Sequence, residues 1–297
     1  MENSNMRFRA HDTFFIRKGW LSKGLKNVNS DPAVFLRRDI NPMDTLGLGA
    51  NMVKAVRYWL QAVGLTEEPQ SGKRNQSLTP LGRVVYKNDK YMEEMGTLWL
   101  LHYRLATNRA EATAWYYFYN EFKPIEFTRD DFITQIKNFL RINDKDISPT
   151  SLEDDFNCII NTYVPRIKSN PEKVQPESNI DCPLGELGLI DIVNKRAKLY
   201  KRSQPKKDTL SPLILLAVIL DQANGEKSVR ISSIQNDACN AGKIFNLDVI
   251  LLINLLYRIE LMNLIKVVRT AGLDVIEIKT DMNFLDCVCE YYREINS

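Results

Sequence analysis

Between Asn51 and Val63, five side chains of the kinds that reach bases and phosphates recur at helical spacing: Asn51, Lys54, Arg57, Tyr58 and Gln61. Winding at 100° per residue places them on one arc. Amide, cationic and phenolic groups are the ones that hydrogen-bond base edges and phosphate oxygens. The opposite arc, roughly 120° wide, collects Met52, Val53, Val56, Trp59, Leu60 and Val63, which is the spacing of a face made to be buried. Gly47 and Gly49 suit a tight turn before this helix, with Gly49 able to cap it, and Gly64 suits a left-handed stop after it. A polar arc alone describes any solvated surface helix, so the next segment carries the distinction. Leu65 to Glu68 and Ser77 to Thr79 read as short strands, around a loop whose tip carries Gly72, Lys73 and Arg74. A basic-tipped hairpin directly behind a helix that follows a glycine-bearing turn is the pattern of a winged helix-turn-helix. On this reading Asn51, Lys54, Tyr58 and Gln61 face the major groove of double-stranded DNA, while Arg57, Lys73 and Arg74 contact phosphate.

Other clusters offer chemistry less specifically. Lys195, Arg196, Lys198, Lys201, Arg202, Lys206 and Lys207 are seven cations with no acid among them. The first five fall on a hairpin expected from Leu189 to Arg202, and Lys206 and Lys207 follow it. Phosphate contact through Lys195, Arg196 and Lys198 is one reading, and a strand edge guarded by lysine is the other. Glu153, Asp154 and Asp155 are carboxylates close enough to attract a divalent cation, but no further ligands follow at matching spacing, and a solvated helix start accounts for them. Cys158 with Cys182 reads as a pair of small core residues before a redox pair. His11, Asp12, Thr13 and Arg17 lie close together, and turn and capping roles are the usual employment of such residues. Gly47-Leu48-Gly49 lacks the Gly-Lys-Ser/Thr that would make a phosphate-binding Walker loop. There is no nucleophile elbow and no zinc-ligand spacing, and the two histidines, His11 and His102, are far apart. The expectation is a binding protein, not an enzyme, with no metal and no cofactor.

These residues need elements to position them. The chain has 297 residues, 44% hydrophobic and 26% charged, with a formal net charge of +3. That composition is ordinary for a globular protein, and so small a charge leaves any nucleic-acid argument to local clustering. The five cysteines form no Cys-x-x-Cys pair. With a polar start, and an apolar run from Leu213 to Leu220 too short to span a bilayer, the expected setting is cytoplasmic and away from membranes. The expected fold is mainly α with small β-hairpin wings. A winged-helix region covers 1–90, a helical middle 91–185 with a loop near 165–179, and 186–297 holds the basic hairpin and a second winged-helix pattern.

Helices are expected from Gly19 to Val28, from Asp31, from Asn41, through the aromatic stretch 84–143 and from Leu152 to Tyr163. Thr79 and Thr128 are in place as caps. The run Trp115 to Phe122 carries enough rings to stack bases, but reads as buried core. Near the end, Leu247 to Leu261 is a strongly apolar helix followed by two strands from Leu264 to Ile278. Its polar surface is reduced to Asn254 and Arg258, with Asn263 beyond, so this copy is expected to serve packing or partner contact.

Phe8-x-x-His11-x-Thr13-Phe14-x-x-Arg17-x-Gly19-Trp20-Leu21 and Leu46-Gly47-x-Gly49-x-Asn51-Met52-Val53-x-x-x-Arg57-Tyr58-Trp59 resemble the bacterial domain-of-unknown-function 4007 family. Leu78-Thr79-Pro80-Leu81-Gly82, Cys182-Pro183-Leu184-x-Glu186-Leu187-Gly188-Leu189 and the closing Arg269 to Val275 are similar to it as well. Ala50 stands where many relatives carry a cation. The resemblance implies no established activity. It implies a genomic setting beside phosphoadenosine-phosphosulfate (PAPS)-reductase-like enzymes in sulfur-modification (phosphorothioate) and phage-defence loci. Two roles fit that setting: a DNA-binding accessory or regulatory protein, or an adaptor that recruits a PAPS-reductase-like enzyme or an ATPase without reading DNA.

Overall fold

Helix starts in this chain are written in their capping residues. Asn41, Thr79, Ser148 and Ser211 each precede a proline, and each side chain accepts a backbone N–H of the first turn. The cap satisfies a donor that the helix leaves unpaired, and proline at the first position has no donor to lose. In the computed structural model, which describes residues 6–165, 182–270 and 273–297, these caps open α2 (Pro42–Leu46), α4 (Pro80–Asn88), α8 (Pro149–Tyr163) and α9 (Pro212–Ala223). Reciprocal boxes, Thr128 with Asp131 and Asn283 with Asp286, open α7 (Arg129–Ile142) and α13 (Phe284–Asn296).

The remaining helices are α1 (Trp20–Ser30), α3 (Ala50–Ala62), α5 (Met95–Thr107), α6 (Thr113–Asn120), α10 (Ile231–Asn236), α11 (Ala241–Ile244) and α12 (Val249–Leu261). The protein is mainly helical, with small antiparallel sheets. β1 (Thr66–Glu67) pairs with β2 (Ser77–Leu78). β3 (Glu126–Phe127), β4 (Ile190–Asn194) and β5 (Leu199–Arg202) form a sheet in the order β3-β5-β4. β6 (Ser228–Arg230), β7 (Ile265–Thr270) and β8 (Leu273–Ile278) form another in the order β6-β8-β7.

One expected helix is missing. Asp31 closes α1 instead of opening a new helix: its N–H donates to Asn27 O at 2.8 Å, and its carboxylate accepts from Ala33 N at 2.9 Å. Turns follow. The loop expected near 165–179 lies almost wholly outside the described residues. Among the described residues no helix is long and apolar enough to cross a membrane.

One cluster of buried side chains runs from Ile16 to Tyr292 and crosses the boundaries expected near 90 and 185. Trp115, Tyr117, Phe118, Tyr119 and Phe122 belong to it, as core. The closing helix α13 returns to the first half of the chain. The N–H of Gly96 donates to the Tyr291 hydroxyl at 3.0 Å, and a Cβ at Gly96 would stand 2.3 Å from that ring. Only glycine lets α5 and α13 come so close.

Candidate nucleic-acid interface

The helix α3 is held from three sides. A Cβ on Gly24 would lie 2.7 Å from Val56 Cγ1, so α1 crosses α3 at glycine contact. Trp59 Nε1–H donates to Phe14 O at 2.9 Å. The Trp59 ring stacks on His11 at 5.8 Å and meets Trp115 edge-on at 5.3 Å. Gly47 takes the left-handed conformation at φ 60° and closes α2, so the turn to α3 is three residues long. What α3 leaves to solvent is its first turn: Asn51 and Lys54 are exposed, Arg57 and Gln61 are half-buried.

Tyr58 departs from the expected groove-facing position. It is 4% exposed, and its hydroxyl donates to Glu111 O at 3.0 Å. Burial pushes that hydroxyl's pKa well up. Its ring leans on Trp59, with 4.9 Å between centroids, and the Arg7 guanidinium covers it at 5.4 Å. A helical projection includes only the helix; residues 6–18, an arm laid along this side, turn a polar arc into an interior.

Glu68 gathers the next group. Its side chain is 3% exposed. It accepts from Arg57 Nε at 2.6 Å, Gln61 Nε2 at 3.1 Å and Gln76 Nε2 at 3.2 Å, and pairs with Arg74 Nε at 3.1 Å. One carboxylate therefore answers two of the three cations expected on phosphate and fixes the hairpin to α3. Gln61, expected to read bases, is spent on this joint. Lys73, at the hairpin tip, is exposed. In the sequence Glu68 reads only as the end of a strand, although an acid beside two expected phosphate contacts is a signal of pairing.

The arm is tied to α8, and two expectations change there. His11 is no capping residue: it is fully buried, and its Nε2–H donates to Asp155 Oδ1 at 2.7 Å. Nor is the acidic triplet a solvated helix start. Asp155 is buried and also accepts the Arg9 N–H at 3.0 Å, Asp154 pairs with Arg9 Nε at 2.7 Å, and Glu153 turns away to Arg129 at 3.3 Å. Burial pushes the Asp155 carboxyl's pKa up, against the hydrogen bonds from His11 and the Arg9 amide. The partners are 144 residues apart, and nothing local in the chain announces them. Arg7 is pinned alongside, its N–H on Thr113 Oγ1 at 2.9 Å and its guanidinium on Glu111 at 2.6 Å.

Arm, α3 and hairpin enclose a recess of about 370 Å³, with Arg7, Arg9, Lys54, Arg57 and Arg74 on its wall beside Asp12 and Glu68. Lys54 has no ion pair among the described residues; its Nζ reaches only Asn51 Oδ1, at 3.5 Å. A larger recess of about 810 Å³ lies between the start of α4, the end of α9 and residues 278–285. Four of the charged groups on its wall pair with each other, Arg104 with Asp221 at 3.1 Å and Lys227 with Asp281 at 3.0 Å.

The basic hairpin is a separate feature. Lys195, Arg196 and Lys198 are exposed at the β4–β5 turn, where Asn194 Oδ1 accepts the N–H groups of Arg196 and Ala197 at 3.0 Å. None of them lines the recess beside α3. Arg202, counted with this basic stretch, points inward. Its guanidinium donates to the carbonyls of Phe118, Phe122 and Pro124 and lies 4.5 Å over the Phe118 ring. Burial brings its pKa down to about 10.

Among the described residues no three of His, Cys, Asp and Glu come together in a way that could hold a metal ion. The acidic triplet, the nearest approach in sequence, is dispersed over three separate partners. Cys158 and Cys182 are buried, and burial pushes the Cys158 thiol's pKa well above its ordinary value, which disfavours a nucleophilic thiolate.

The whole architecture has solved counterparts. The chain is similar to SspB: one crystal structure superposes with a TM-score of 0.84 at 25% identity, covering 99% of this chain and 91% of that one. A magnesium ion-bound SspB crystal structure gives 0.82 at 25% identity, with 98% and 89% covered. No curated protein matches. The family model described as a protein of unknown function, DUF4007, matches residues 8–292, and the chain belongs to that family.

Proposed function

We propose that this protein is a DNA-binding accessory or regulatory component of a phosphorothioation-linked DNA-modification or phage-defence system, contacting double-stranded DNA through the first turn of α3 and the β1–β2 hairpin. The observation that carries the reading is the exposure of Asn51 and Lys54 at the N-terminal end of α3, beside a hairpin tipped by Lys73. Helix-turn-helix proteins present base-reading side chains at that end of the recognition helix. The order α2, short turn, α3, hairpin supports a winged-helix arrangement. The placement in a defence locus rests on the family resemblance, to which the likeness to SspB adds. The contact set is narrower than residue types alone imply: Asn51 in the groove, Lys54 at its edge and Lys73 both on phosphate, Arg57 and Arg74 through donors that Glu68 leaves over. Lys195, Arg196 and Lys198 form a second phosphate contact.

A salt titration of duplex binding tests this. Lys54→Ala combined with Lys73→Ala weakens binding and lowers the slope of log affinity against log salt by about two, one for each phosphate left without its cation. Binding that ignores salt, or that the double variant leaves unchanged, ends the reading.

One observation favours the adaptor as a second reading. The outer face of α12 carries Ile250, Tyr257 and Leu261, exposed by 72%, 43% and 83%. Large apolar side chains exposed along one helix face mark a protein contact more often than a nucleic-acid one. Co-purification with a PAPS-reductase-like enzyme or an ATPase of the same locus, with no DNA affinity in the isolated protein, selects it.

A further inference from the structure

The polar face of α3 is the floor of a cationic recess, and this changes what it can bind. Arg7 and Arg9 come from the arm, Lys54 and Arg57 from α3, and Arg74 from the hairpin. Asp12 and Glu68 share that wall. Glu111 and Asp154, behind it, pair with Arg7 and Arg9. Lys54 is the cation on that wall that has no ion pair among the described residues. Arg57, Arg7 and Arg9 are oriented by their ion pairs, yet each guanidinium has five N–H donors and a single carboxylate engages only part of the fork. Oriented donors with capacity left over, beside one lysine that no carboxylate engages, make a receptor for one compact oxyanion.

We infer that this recess is a phosphoryl-binding site, in which Lys54 supplies the charge and Arg9 and Arg57 supply directed hydrogen bonds to the oxygens of one phosphate. The inference deepens the DNA-binding reading and rests on it for the source of that phosphate, a backbone phosphodiester. A free phosphate-bearing ligand has the same chemistry. The arm is part of the device: Asp155 and Asp154 hold Arg9 at the rim, so α8 positions a phosphate ligand without touching it.

The test uses the full chain and two probes at matched ionic strength, inorganic phosphate by calorimetric titration and a 20-base-pair duplex by fluorescence anisotropy. Phosphate binds the unaltered protein. Lys54→Gln weakens that binding about tenfold, the worth of one charge-assisted hydrogen bond, while Lys137→Gln, exposed on α7 and outside the recess, leaves it unchanged. Lys54 is exposed, so an unaltered melting temperature confirms that this variant folds. Absence of phosphate binding, or binding equally tight in Lys54→Gln, overturns the site; duplex binding that persists in that case leaves the DNA reading standing. Lys54-dependent phosphate binding that the duplex displaces establishes a backbone phosphate as the occupant. Lys54-dependent phosphate binding that the duplex fails to displace keeps the site, assigns it to a free phosphate ligand and removes this face from the DNA reading.

Discussion

Two regions of this molecule follow the same plan with opposite surfaces. Near the N-terminus, α2, a short turn, the thirteen-residue α3 and the β1–β2 hairpin follow one another. Near the C-terminus, α10, α11, the thirteen-residue α12 and the β7–β8 hairpin do the same, with β6 added to the sheet. The exposed end of α3 is polar and cationic, whereas the exposed face of α12 is Ile250, Tyr257 and Leu261. The first region is secured by long-range polar contacts, His11 on Asp155 and Arg57 on Glu68. The second is secured chiefly by apolar packing, with Leu252, Leu255, Leu256 and Ile259 buried. Backbone order therefore settles neither ligand nor stability; the side chains on the outer face decide the first, and the means of anchoring decides the second.

The comparison breaks most easily at the polar anchor. Asp155→Ala strands His11 and the Arg9 amide in the interior, and removing one partner of a buried pair costs about 3–5 kcal/mol. Chemical denaturation reads that loss, and a cost below about 1 kcal/mol, the scale of a surface pair, would show that the polar clasp is incidental.

The next effect is acid lability at the seam between the middle of the chain and the C-terminal region. His102 is fully buried on α5. Its Nδ1 accepts from the Tyr163 hydroxyl at 2.7 Å, and its Nε2–H donates to Ile244 O at 2.8 Å. Burial lowers its pKa from 6.5 to about 4. Between those values the unfolded chain takes up a proton that the folded chain refuses, so this contribution is intact above pH 6.5 and is lost as pH falls towards 4. By linkage the loss is roughly 3 kcal/mol. Denaturation at a series of pH values measures it, and a His102→Gln variant, already weaker at neutral pH, should lack this dependence.

A smaller effect sharpens the difference in ligands. Lys54→Ala with Lys73→Ala lowers duplex affinity about a hundredfold at moderate salt, tenfold for each phosphate. Ile250→Ser with Leu261→Ser does not lower it. If the α12 variant loses DNA binding as well, the two faces are not divided as described. The smallest effect is on folding: both α12 residues are already solvated, so that double variant shifts stability by less than about 0.5 kcal/mol while removing any partner that docks there. A large destabilisation would mean that these residues belong to the core.

Short-range information in the chain was enough for most of the elements. The cap and proline pairs at Asn41, Thr79, Ser148 and Ser211 sit within three residues of the groups they satisfy, so they mark helix starts without help from the rest of the molecule. The apolar period over Asn51 to Val63 defined the buried face of α3 for the same reason. Asp31 misled because a capping residue serves equally well at the end of one helix and at the start of the next, and only the Asn27 carbonyl decides between them.

The site was legible as residue types and not as an arrangement. Asn51, Lys54 and Lys73, expected on DNA, are exposed. Tyr58 and Gln61 were chosen by the same reasoning and are engaged within the protein, because the arm and Glu68 reach them from elsewhere in the chain, and Arg202, counted in the basic stretch, is taken up by the end of α6. His11 and Asp155 illustrate the limit: each reads as an ordinary surface residue among its neighbours, and their bond spans 144 positions. By itself the sequence determined which groups could bind an anion and where the helices that carry them begin. Only the tertiary structure decided which of those groups remain free to do so, because a buried polar group is obliged to find a partner wherever the fold supplies one, whatever its distance along the chain.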